Sequence, residues 1–515
     1  MDLASLVAGS DVTEVVGGPA LSISSLVFRA QDAVPGSLFF CVRGTRFDGH
    51  DFAAQAAAAG AAAVVCERRL DVPVPQVLVP SVRRAMALMG ALFYGDPSAE
   101  LQVAAVTGTN GKTTTAHLMA RCFDAAGLRS GLLGTVVNRI GGVDSSVKLT
   151  TAESLDLQRM FREMADAGDQ ACAMEASSHA LALHRTVGIH FAVVVFTNLT
   201  RDHLDFHSDL DDYFLAKRRL FLPDEERQPG ARAVINVEDP FGRRLAADCR
   251  PAYGDADTWT FAVDGDADVA ARRLQLDAEG SRVVLQAPRA GVELELSTQM
   301  SARFNVENML AAATAMLAVG LPAQAVKEGL EGTPGVPGRF ESVRAGQPFT
   351  VLVDFSHTPD SLDNALRAAR AICRGRLLLV FGCGGDRDRG KRPIMGDIAA
   401  RLADVAVVTS DNPRSEDPQA IIDDIVAGIP HNGGSRVTVE ADRRAAIGLA
   451  LAEAQAGDVV VIAGKGHESG QIIGDRRIPF LDRDVADDWL RSHYGVICAE
   501  GVGRGEAAGE PERRS

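Results

Sequence analysis

An α/β fold in three domains is predicted by three observations. The chain has 515 residues, about three times the length of an ordinary domain. Short apolar runs alternate with helical patterns along most of it. One apolar run, Val103-Ala104-Ala105-Val106, passes into Thr107-Gly108-Thr109-Asn110-Gly111-Lys112-Thr113-Thr114-Thr115, a Gly-rich turn that opens a helix which Gly127 can end. In such a turn backbone N–H groups point at phosphate oxygens, the lysine supplies a point charge, and the next hydroxyl can bind Mg²⁺. The general pattern has a glycine at position 106, where Val106 stands.

Residues 1–97 read as a small N-terminal α/β domain of short strands and one Ala-rich helix. The Ala-rich stretch 53–66 is short for a membrane span and contains Gln55 and Gly60, so it reads as a buried helix running into a strand. The loop Tyr94-Gly95-Asp96-Pro97-Ser98 marks the first boundary. Residues 98–335 form the central domain, with a P-loop ATPase-type parallel sheet. Its apolar runs at 171–174 and 191–196 read as buried parallel strands. The stretch 255–300 alternates polar and apolar residues between Gly turns, as in Ser281-Arg282-Val283-Val284-Leu285-Gln286, and reads as a small antiparallel insert. The Gly- and Pro-rich run 332–338 makes the second boundary.

Residues 336–492 read as a Rossmann-like α/β domain. Four apolar strands, at 351–353, 377–381, 405–408 and 459–462, each end in a polar loop. Ligands of open α/β sheets sit at the carboxyl ends of strands. Four such loops therefore predict one crevice, since ordinary αβ turns explain the glycines but not the Arg, His and Glu beside them. The segment 493–515, Gly/Glu/Arg-rich from Ala499, is expected to be disordered.

Composition narrows the function. A net charge of −15 argues against general binding of nucleic acid or anionic membranes. Eight cysteines without a C-x-x-C pair argue against a zinc knuckle or disulfide framework and fit a reducing cytoplasm. The start Met1-Asp2-Leu3 shows no basic or long apolar segment, so no signal peptide is expected.

In the central domain Glu175 closes the run 171–174, where a carboxylate can hold Mg²⁺ beside Thr113. The plainer reading is a helix cap. The next strand leads into Asn198-Leu199-Thr200-Arg201-Asp202-His203-Leu204-Asp205-Phe206-His207, dense in His and Asp for a turn. His203 reads as a metal ligand or phosphate donor. Lys217 lies on a helical pattern, 213–221, and physical chemistry alone does not single it out.

These residues resemble the Mur ligases, the cytoplasmic ATP-dependent amide ligases of peptidoglycan synthesis. The resemblance runs to about residue 490. It rests on residues 108–114, Leu149-Thr150-Thr151, Glu175-Ala176-Ser177-Ser178-His179-Ala180-Leu181 with Arg185, residues 198–203, Lys217, Asn305 and Asn308, Gly338-Arg339-Phe340-Glu341, Asp354 with His357-Thr358-Pro359-Asp360, Gly384-Gly385-Asp386-Arg387, Asp411-Asn412-Pro413-Arg414, and Gly464-Lys465-Gly466-His467-Glu468. It implies a first domain for the UDP end of the substrate, a second for ATP and a third for an incoming amino acid. It also implies that Lys217 is carbamylated by CO₂ and, with Thr113, Glu175 and His203, holds Mg²⁺, which prefers hard anionic oxygens. Lys112, Lys217, His203 and Glu175 would be the catalytic set.

The resemblance implies ATP contacts from Gly108, Thr109, Asn110, Gly111, Lys112, Thr113 and Thr114, with Asn305, Arg339, Asp354 and His357. It gives Thr150, Thr151, Ser177 and Arg185 to a UDP-muramyl-dipeptide. Members commonly carry Asp-Ser-Arg near the N-terminus. Here Ser24 or Ser25 stands in, Ser25 being the candidate, with Thr45, Arg46 and Phe47 near the uracil. Arg387, Asp411, Asn412, Pro413, Arg414, Gly464 and Glu468 would receive the amino acid. Arg414 can grip a carboxylate through two parallel hydrogen bonds and Glu468 suits an ammonium, a set that resembles the diaminopimelate-adding members. The implied reaction joins meso-diaminopimelate to the D-Glu carboxylate of UDP-N-acetylmuramoyl-L-Ala-D-Glu through an acyl phosphate. A cytoplasmic monomer acting on small molecules, without nucleic acid or membrane insertion, is expected. The rivals are a lysine-adding sibling, folylpolyglutamate synthase, and a catalytically dead nucleotide-binding scaffold. The Asp411-Asn412-Pro413-Arg414 motif and the UDP-side domain speak against the first two, and the five residues Lys112, Thr113, Glu175, His203 and Lys217 against the third.

Overall fold

The computed structural model describes residues 1–18, 20–44, 47–147, 149–204, 206–222, 230–430 and 434–494. The chain forms two compact units, Met1–Glu341 with Asp363–Ile372, and Ser342–Leu362 with Cys373–Ser515. No described helix is long and apolar enough to cross a membrane.

The first unit carries two sheets. The smaller is built from β1 (Glu14–Val16), β2 (Ser25–Val27), β3 (Ser37–Phe40), β4 (Ala63–Cys66) and β5 (Gln76–Leu78), in the order β1-β5-β4-β3-β2. Strands β2 to β5 pair in parallel and β1 antiparallel. The Ala-rich stretch is a helix, Ala53–Ala58, followed by β4. Helix Val82–Phe93 starts at Ser81, whose hydroxyl accepts from the Arg84 N–H. Its apolar face packs Val82, Ala85, Met86 and Met89 onto Leu38, Phe40, Val65 and Val77.

The larger sheet has eleven strands: β6 (Gln102–Thr107), β7 (Ser130–Leu133), β8 (Asn138–Ile140), β9 (Val143–Ser145), β10 (Ala171–Glu175), β11 (Phe191–Phe196), β12 (Arg232–Asn236), β13 (Thr258–Ala262), β14 (Val269–Asp277), β15 (Gly280–Ala287) and β16 (Val292–Thr298). Their order is β16-β15-β14-β13-β12-β11-β6-β10-β7-β8-β9. Strands β7, β10, β6, β11, β12 and β13 are parallel. Both faces are covered, which is why these strands are continuous apolar runs. Helices Lys112–Ala125, Arg303–Ala318 and Ala323–Glu331 contribute to the core on one face. Helices Ser154–Ala167, Leu210–Arg218 and Pro240–Tyr253 contribute to the other. The antiparallel stretch expected at 255–300 is β14–β16, but it is no separate insert. Strand β14 pairs in parallel with β13, so the meander extends the central sheet.

The second unit is built on β17 (Glu341–Val343), β18 (Thr350–Asp354), β19 (Leu377–Phe381), β20 (Val405–Val408), β21 (Arg436–Val439) and β22 (Val459–Ala463), in the order β17-β18-β22-β19-β20-β21. From β18 to β21 the pairing is parallel throughout, so the four expected strand ends open on one edge. A hairpin, β23 (Gly470–Ile473) with β24 (Arg476–Pro479), follows β22. Arg443, at the start of helix Arg443–Glu453, is fully buried and bidentate to Asp482, at 2.7 Å to each oxygen. It also donates to Ser410 O and Ala463 O, which ties this helix to the ends of β20 and β22.

Candidate active site

Strands β11, β6 and β10 lie side by side, so their carboxyl ends share one edge. From β6 the chain lays down β7 two places away on one side and returns to place β10 between them, then crosses to build outward through β11, β12 and β13 on the other side. The edge beside β6 is thus a switch point, where ligands of open α/β sheets bind.

The phosphate loop leaves β6 there. Gly108 has φ +152° and Gly111 φ +86°. A Cβ on Gly108 would stand 1.9 Å from Thr197 Oγ1, and one on Gly111 2.2 Å from Asn308 Oδ1, so both positions need glycine. The loop after β11 holds this turn from the side. Thr109 N–H donates to Asn198 O at 2.8 Å, and Asn110 N–H to Asn198 Oδ1 at 2.9 Å. Asn198 Nδ2 donates back to Asn110 O at 3.3 Å, where Thr197 Oγ1 also donates at 2.7 Å. Two of the N–H groups expected to face phosphate therefore hold the turn itself. Lys112 Nζ lies across the loop, donating to Gly108 O at 3.0 Å and Thr109 O at 2.9 Å. Thr114 is buried at the start of the helix. Asn305 is buried too, donating to Ser301 O at 2.8 Å and accepting from Asn308. Its bond to Asn308 links it to the loop, since Asn308 lies against Gly111 and Thr115.

Glu175, 1% exposed at the end of β10, accepts from Thr113 Oγ1 at 3.1 Å, Thr135 N–H at 2.7 Å and Thr135 Oγ1 at 3.1 Å. Arg339 Nη2 donates to Thr113 Oγ1 at 3.3 Å. Lys217, also 1% exposed, reaches in from the last turn of helix Leu210–Arg218. It donates to Gly108 O at 2.7 Å and sits 4.5 Å from the Tyr213 ring centroid. One carbonyl thus accepts from both lysines. Burial, and then the charge of Lys112, push the Lys217 amine well below the ordinary lysine range, against Asp202. Burial lowers Lys112 as well, opposed by Glu175 and Asp202. His203 has φ +54°. Its Nε2 lies 3.5 Å from Asp202 Oδ2, and its ring stands edge-on to His179 at 4.9 Å between centroids.

The Thr113 hydroxyl touching the Glu175 carboxylate is a pair of hard oxygen donors that suits Mg²⁺. Among the described residues no three His, Cys, Asp or Glu side chains converge as a metal group. Lys217 as an amine offers N–H donors to Gly108 rather than an oxygen, so it fits a metal only after conversion to a carbamate.

The four candidates for the muramyl-dipeptide gather beside Glu175. Thr151 Oγ1 donates to Glu175 O at 2.8 Å and accepts from Ser177 N–H at 3.1 Å. Thr150 Oγ1 lies 3.2 Å from Thr135 Oγ1. Arg185 donates to Thr151 O at 2.9 Å and pairs with Glu153 at 2.8 Å. Ser177 caps helix Ser178–Ala182, its hydroxyl accepting from Ala180 N–H. Glu153 also pairs with Arg83 at 3.0 Å, joining the helix of the small sheet to Arg185. Of the uridine-side candidates, Ser25 on β2 bonds Ser37 Oγ at 2.8 Å, and Phe47 is 71% exposed, edge-on to Phe52. Thr45 and Arg46 lie outside the described residues, as does 495–515 of the expected disordered tail.

In the second unit Asp354 ends β18 and accepts from the Ser356 N–H at 3.0 Å and the Ser356 hydroxyl. His357 is exposed, and its carbonyl accepts from Lys391. Arg414 has φ +53° and donates to Gly385 O at 2.7 Å, joining the loops after β19 and β20. Its backbone pairs with the hairpin, to Ile472 O at 3.0 Å and from Gly474 N–H at 2.7 Å. Exposed Arg387 donates to Asp386 O. Asp411 and Asn412 are buried, and a Cβ on Gly464 would stand 2.6 Å from Asp411 Oδ2. Pro413 O accepts from Glu416 N–H at 3.0 Å. Glu468 is not an isolated anion: Oε2 accepts from Lys465 at 3.0 Å and Asn412 Nδ2 at 2.7 Å.

Sequence reasoning gave no role to Asn198, Thr135, Glu153 or Lys465. Only Asn198 and Lys465 carried a signal, by lying inside quoted motifs. Thr135 and Glu153 act through contacts with distant segments.

Fold and loop together define an α/β phosphate-binding enzyme. Three family models match in chain order: the Mur ligase family catalytic domain over residues 23–94, the Mur ligase middle domain over 106–316, and the Mur ligase glutamate ligase domain over 338–466. The UDP-N-acetylmuramoyl-L-alanyl-D-glutamate–2,6-diaminopimelate ligase of Geobacillus thermodenitrificans is 47% identical over 471 residues, 90% of this chain and 94% of that protein. The protein of the same name from Thermosynechococcus vestitus is 45% identical, covering 95% of this chain and 98% of its own. A solved structure of a ligase with that name has a TM-score of 0.71 and 32% identity, covering 96% of this chain and 99% of its own. The chain belongs to the Mur ligase family.

Proposed function

We infer that this chain is the ATP-dependent amide ligase that joins meso-diaminopimelate to the D-Glu carboxylate of UDP-N-acetylmuramoyl-L-Ala-D-Glu, in peptidoglycan precursor synthesis. The observation that carries this is near-half identity, over almost the whole of both chains, to proteins named for that reaction. The phosphate loop, Glu175 and Lys217 support it from within the chain.

The D-Glu carboxylate attacks the γ-phosphorus of ATP, and ADP leaves. A carboxylate is a poor electrophile, whereas the resulting acyl phosphate is a good one. Lys112 turns from its loop carbonyls to the transferring phosphoryl group and offsets the charge growing there. Thr113, Glu175, His203 and carbamylated Lys217 would hold Mg²⁺, which neutralises phosphate charge when bound. Thr150, Thr151, Ser177 and Arg185 hold the dipeptide, with Ser25, Thr45, Arg46 and Phe47 toward the uridine. Asn305, Arg339, Asp354 and His357 belong to the nucleotide. The amine of diaminopimelate then attacks the acyl carbon, and the tetrahedral intermediate expels phosphate. Arg387 and Arg414 suit the carboxylate of its distal head and Glu468 the ammonium. This reading places the work in the cytoplasm, in a monomer with domains at 1–97, 98–335 and 336–492.

The test is phosphate release from Mg-ATP with UDP-N-acetylmuramoyl-L-Ala-D-Glu and either meso-diaminopimelate, L-lysine or no amino acid, with the product weighed. A ligated product with diaminopimelate alone is expected. Activity with lysine instead would keep the ligase and overturn the pocket assignment. Silence from folded protein in all three would overturn both.

A further inference from the structure

The second unit holds a lysine with no exposed side-chain surface, Lys465. Its ammonium has three protons and three acceptors: Asn412 Oδ1 at 3.2 Å, Glu468 Oε2 at 3.0 Å and Gly470 O at 2.8 Å. A buried ammonium persists when it is paired and fully hydrogen-bonded. Its pairing dictates the geometry of both side-chain partners. Asn412 must turn its oxygen to Lys465, where Ile472 N–H also donates at 2.9 Å. Its amide nitrogen then points at Glu468 Oε2 and Asp411 Oδ1. Glu468 therefore has one oxygen fixed by two donors, while the described residues give Oε1 no hydrogen bond and the side chain is 36% exposed.

We propose that Lys465 is a positioning and specificity-determining residue of the amino-acid pocket, which fixes Glu468 with one oxygen presented outward and cancels its charge, so that a zwitterionic amino-acid head is accepted over a lone ammonium. This rests on the reading above that Glu468 and Arg414 receive that head. An ammonium arriving at Glu468 meets a carboxylate already paired with a cation 3.0 Å away. It gains a hydrogen bond but little net attraction. A zwitterionic head brings its own carboxylate, for which Arg414 has donors to spare beyond Gly385. Burial alone would raise the Glu468 carboxyl, but the charge and hydrogen bond of Lys465 hold it below the ordinary range, so it stays ionised at neutral pH. Discrimination then comes from an element that penalises the wrong ligand as well as one that rewards the right one.

The experiment compares wild type, Lys465→Met and Lys465→Arg as full chains, with KM and kcat measured for meso-diaminopimelate and for L-lysine and melting followed in parallel. In Lys465→Met the KM for diaminopimelate should rise about tenfold or more while the KM for ATP stays within about twofold. The ratio of kcat/KM for diaminopimelate over lysine should fall about tenfold, because Glu468 then carries an uncompensated charge. A folded Lys465→Met with both quantities unchanged overturns the proposal. Should that variant fail to melt cooperatively, Lys465→Arg decides. It keeps the charge but not the three-acceptor geometry, so a raised diaminopimelate KM with the ratio retained is expected, and an unchanged KM overturns the proposal. Wild type inactive with diaminopimelate overturns the pocket reading and this inference with it. Active wild type with indifferent variants overturns the inference alone.

Discussion

Replacing Asn198 by alanine asks whether the phosphate loop keeps its shape by its own sequence or by the neighbouring strand end. The side chain makes two hydrogen bonds to Asn110, at 2.9 Å to the N–H and 3.3 Å to the carbonyl. Each contributes about 1 kcal/mol net, the longer one less. The carbonyl keeps Thr197 Oγ1 at 2.7 Å, and Asn110 is half-buried, so water can reach the N–H that is left. The main-chain bond from Thr109 N–H to residue 198 survives the change. The loss is therefore about 1–2 kcal/mol of loop order. Ordering the loop must then be supplied on binding phosphate, so the KM for ATP should rise about 5- to 30-fold. Initial-rate phosphate release against ATP, with the other substrates saturating, measures this, and a melting curve controls for the fold. An ATP KM within about twofold of wild type, at an equal melting temperature, would refute the clamp.

Three further outcomes follow from the same geometry. Lys217→Ala should abolish ligation, and acetate or formate should restore part of it if a carboxylate-like group is what the site needs; turnover like wild type would sink the metal role. Arg414→Ala removes a guanidinium whose anchor is Gly385 O, and should raise the diaminopimelate KM at least about tenfold while ATP use is nearly unchanged; an unaltered amino-acid KM defeats that assignment. The hydrogen bonds of Arg392, then the Asp386 N–H, hold the Glu416 carboxyl down at about 2, against an ordinary 4.5. Its folded value is depressed, so its stabilisation is present above 4.5 and lost as pH falls toward 2. Glu416→Gln should thus melt below wild type at neutral pH, with the gap closing across that window, and a gap independent of pH would show that the ion pair is not its source.

The sheets were legible wherever burial on both faces wrote itself into the sequence. Strands β6, β10, β11 and β22 are continuous apolar runs because helices or loops cover each side. The alternation of residues 281–286 correctly announced antiparallel pairing. Its attachment to the central sheet was not legible, because that depends on two register pairs, Phe261 with Val269 and Ala262 with Ala270, which no pattern encodes. The phosphate loop was legible because its parts are contiguous. Its inward-facing N–H groups were not, since the partner of Asn110 lies 88 residues away. The same holds for Thr135 with Glu175, 40 apart, and for Lys465 with Asn412, 53 apart. A motif names the residues that gather at a site; which of them face the ligand and which hold the others is settled by contacts the motif does not contain.

The two units solve that holding problem with different chemistry. Around the phosphate loop most side-chain supports are neutral: Thr197 and Asn198 bond the Asn110 main chain, Asn308 bonds Thr115 and Asn305, and Thr135 bonds Glu175, while Lys112 and Lys217 both donate to the Gly108 carbonyl. In the second unit the supports are buried or half-buried ion pairs, Arg443 with Asp482, Arg392 with Glu416 and Lys465 with Glu468. Such pairs contribute little net stability, since desolvation consumes most of the attraction, yet breaking one is costly because a charge is left unpaired. Their value therefore lies in geometry. Arg443 fixes the ends of β20 and β22, Arg392 and Glu416 fix the loop after β19 to that after β20, and Lys465 fixes Glu468. On the proposed assignment, Arg387 and Arg414 would meet an incoming carboxylate from loops that these pairs hold in place. On that reading, the same three pairs would set both the rigidity of these loops and the selectivity of the proposed pocket.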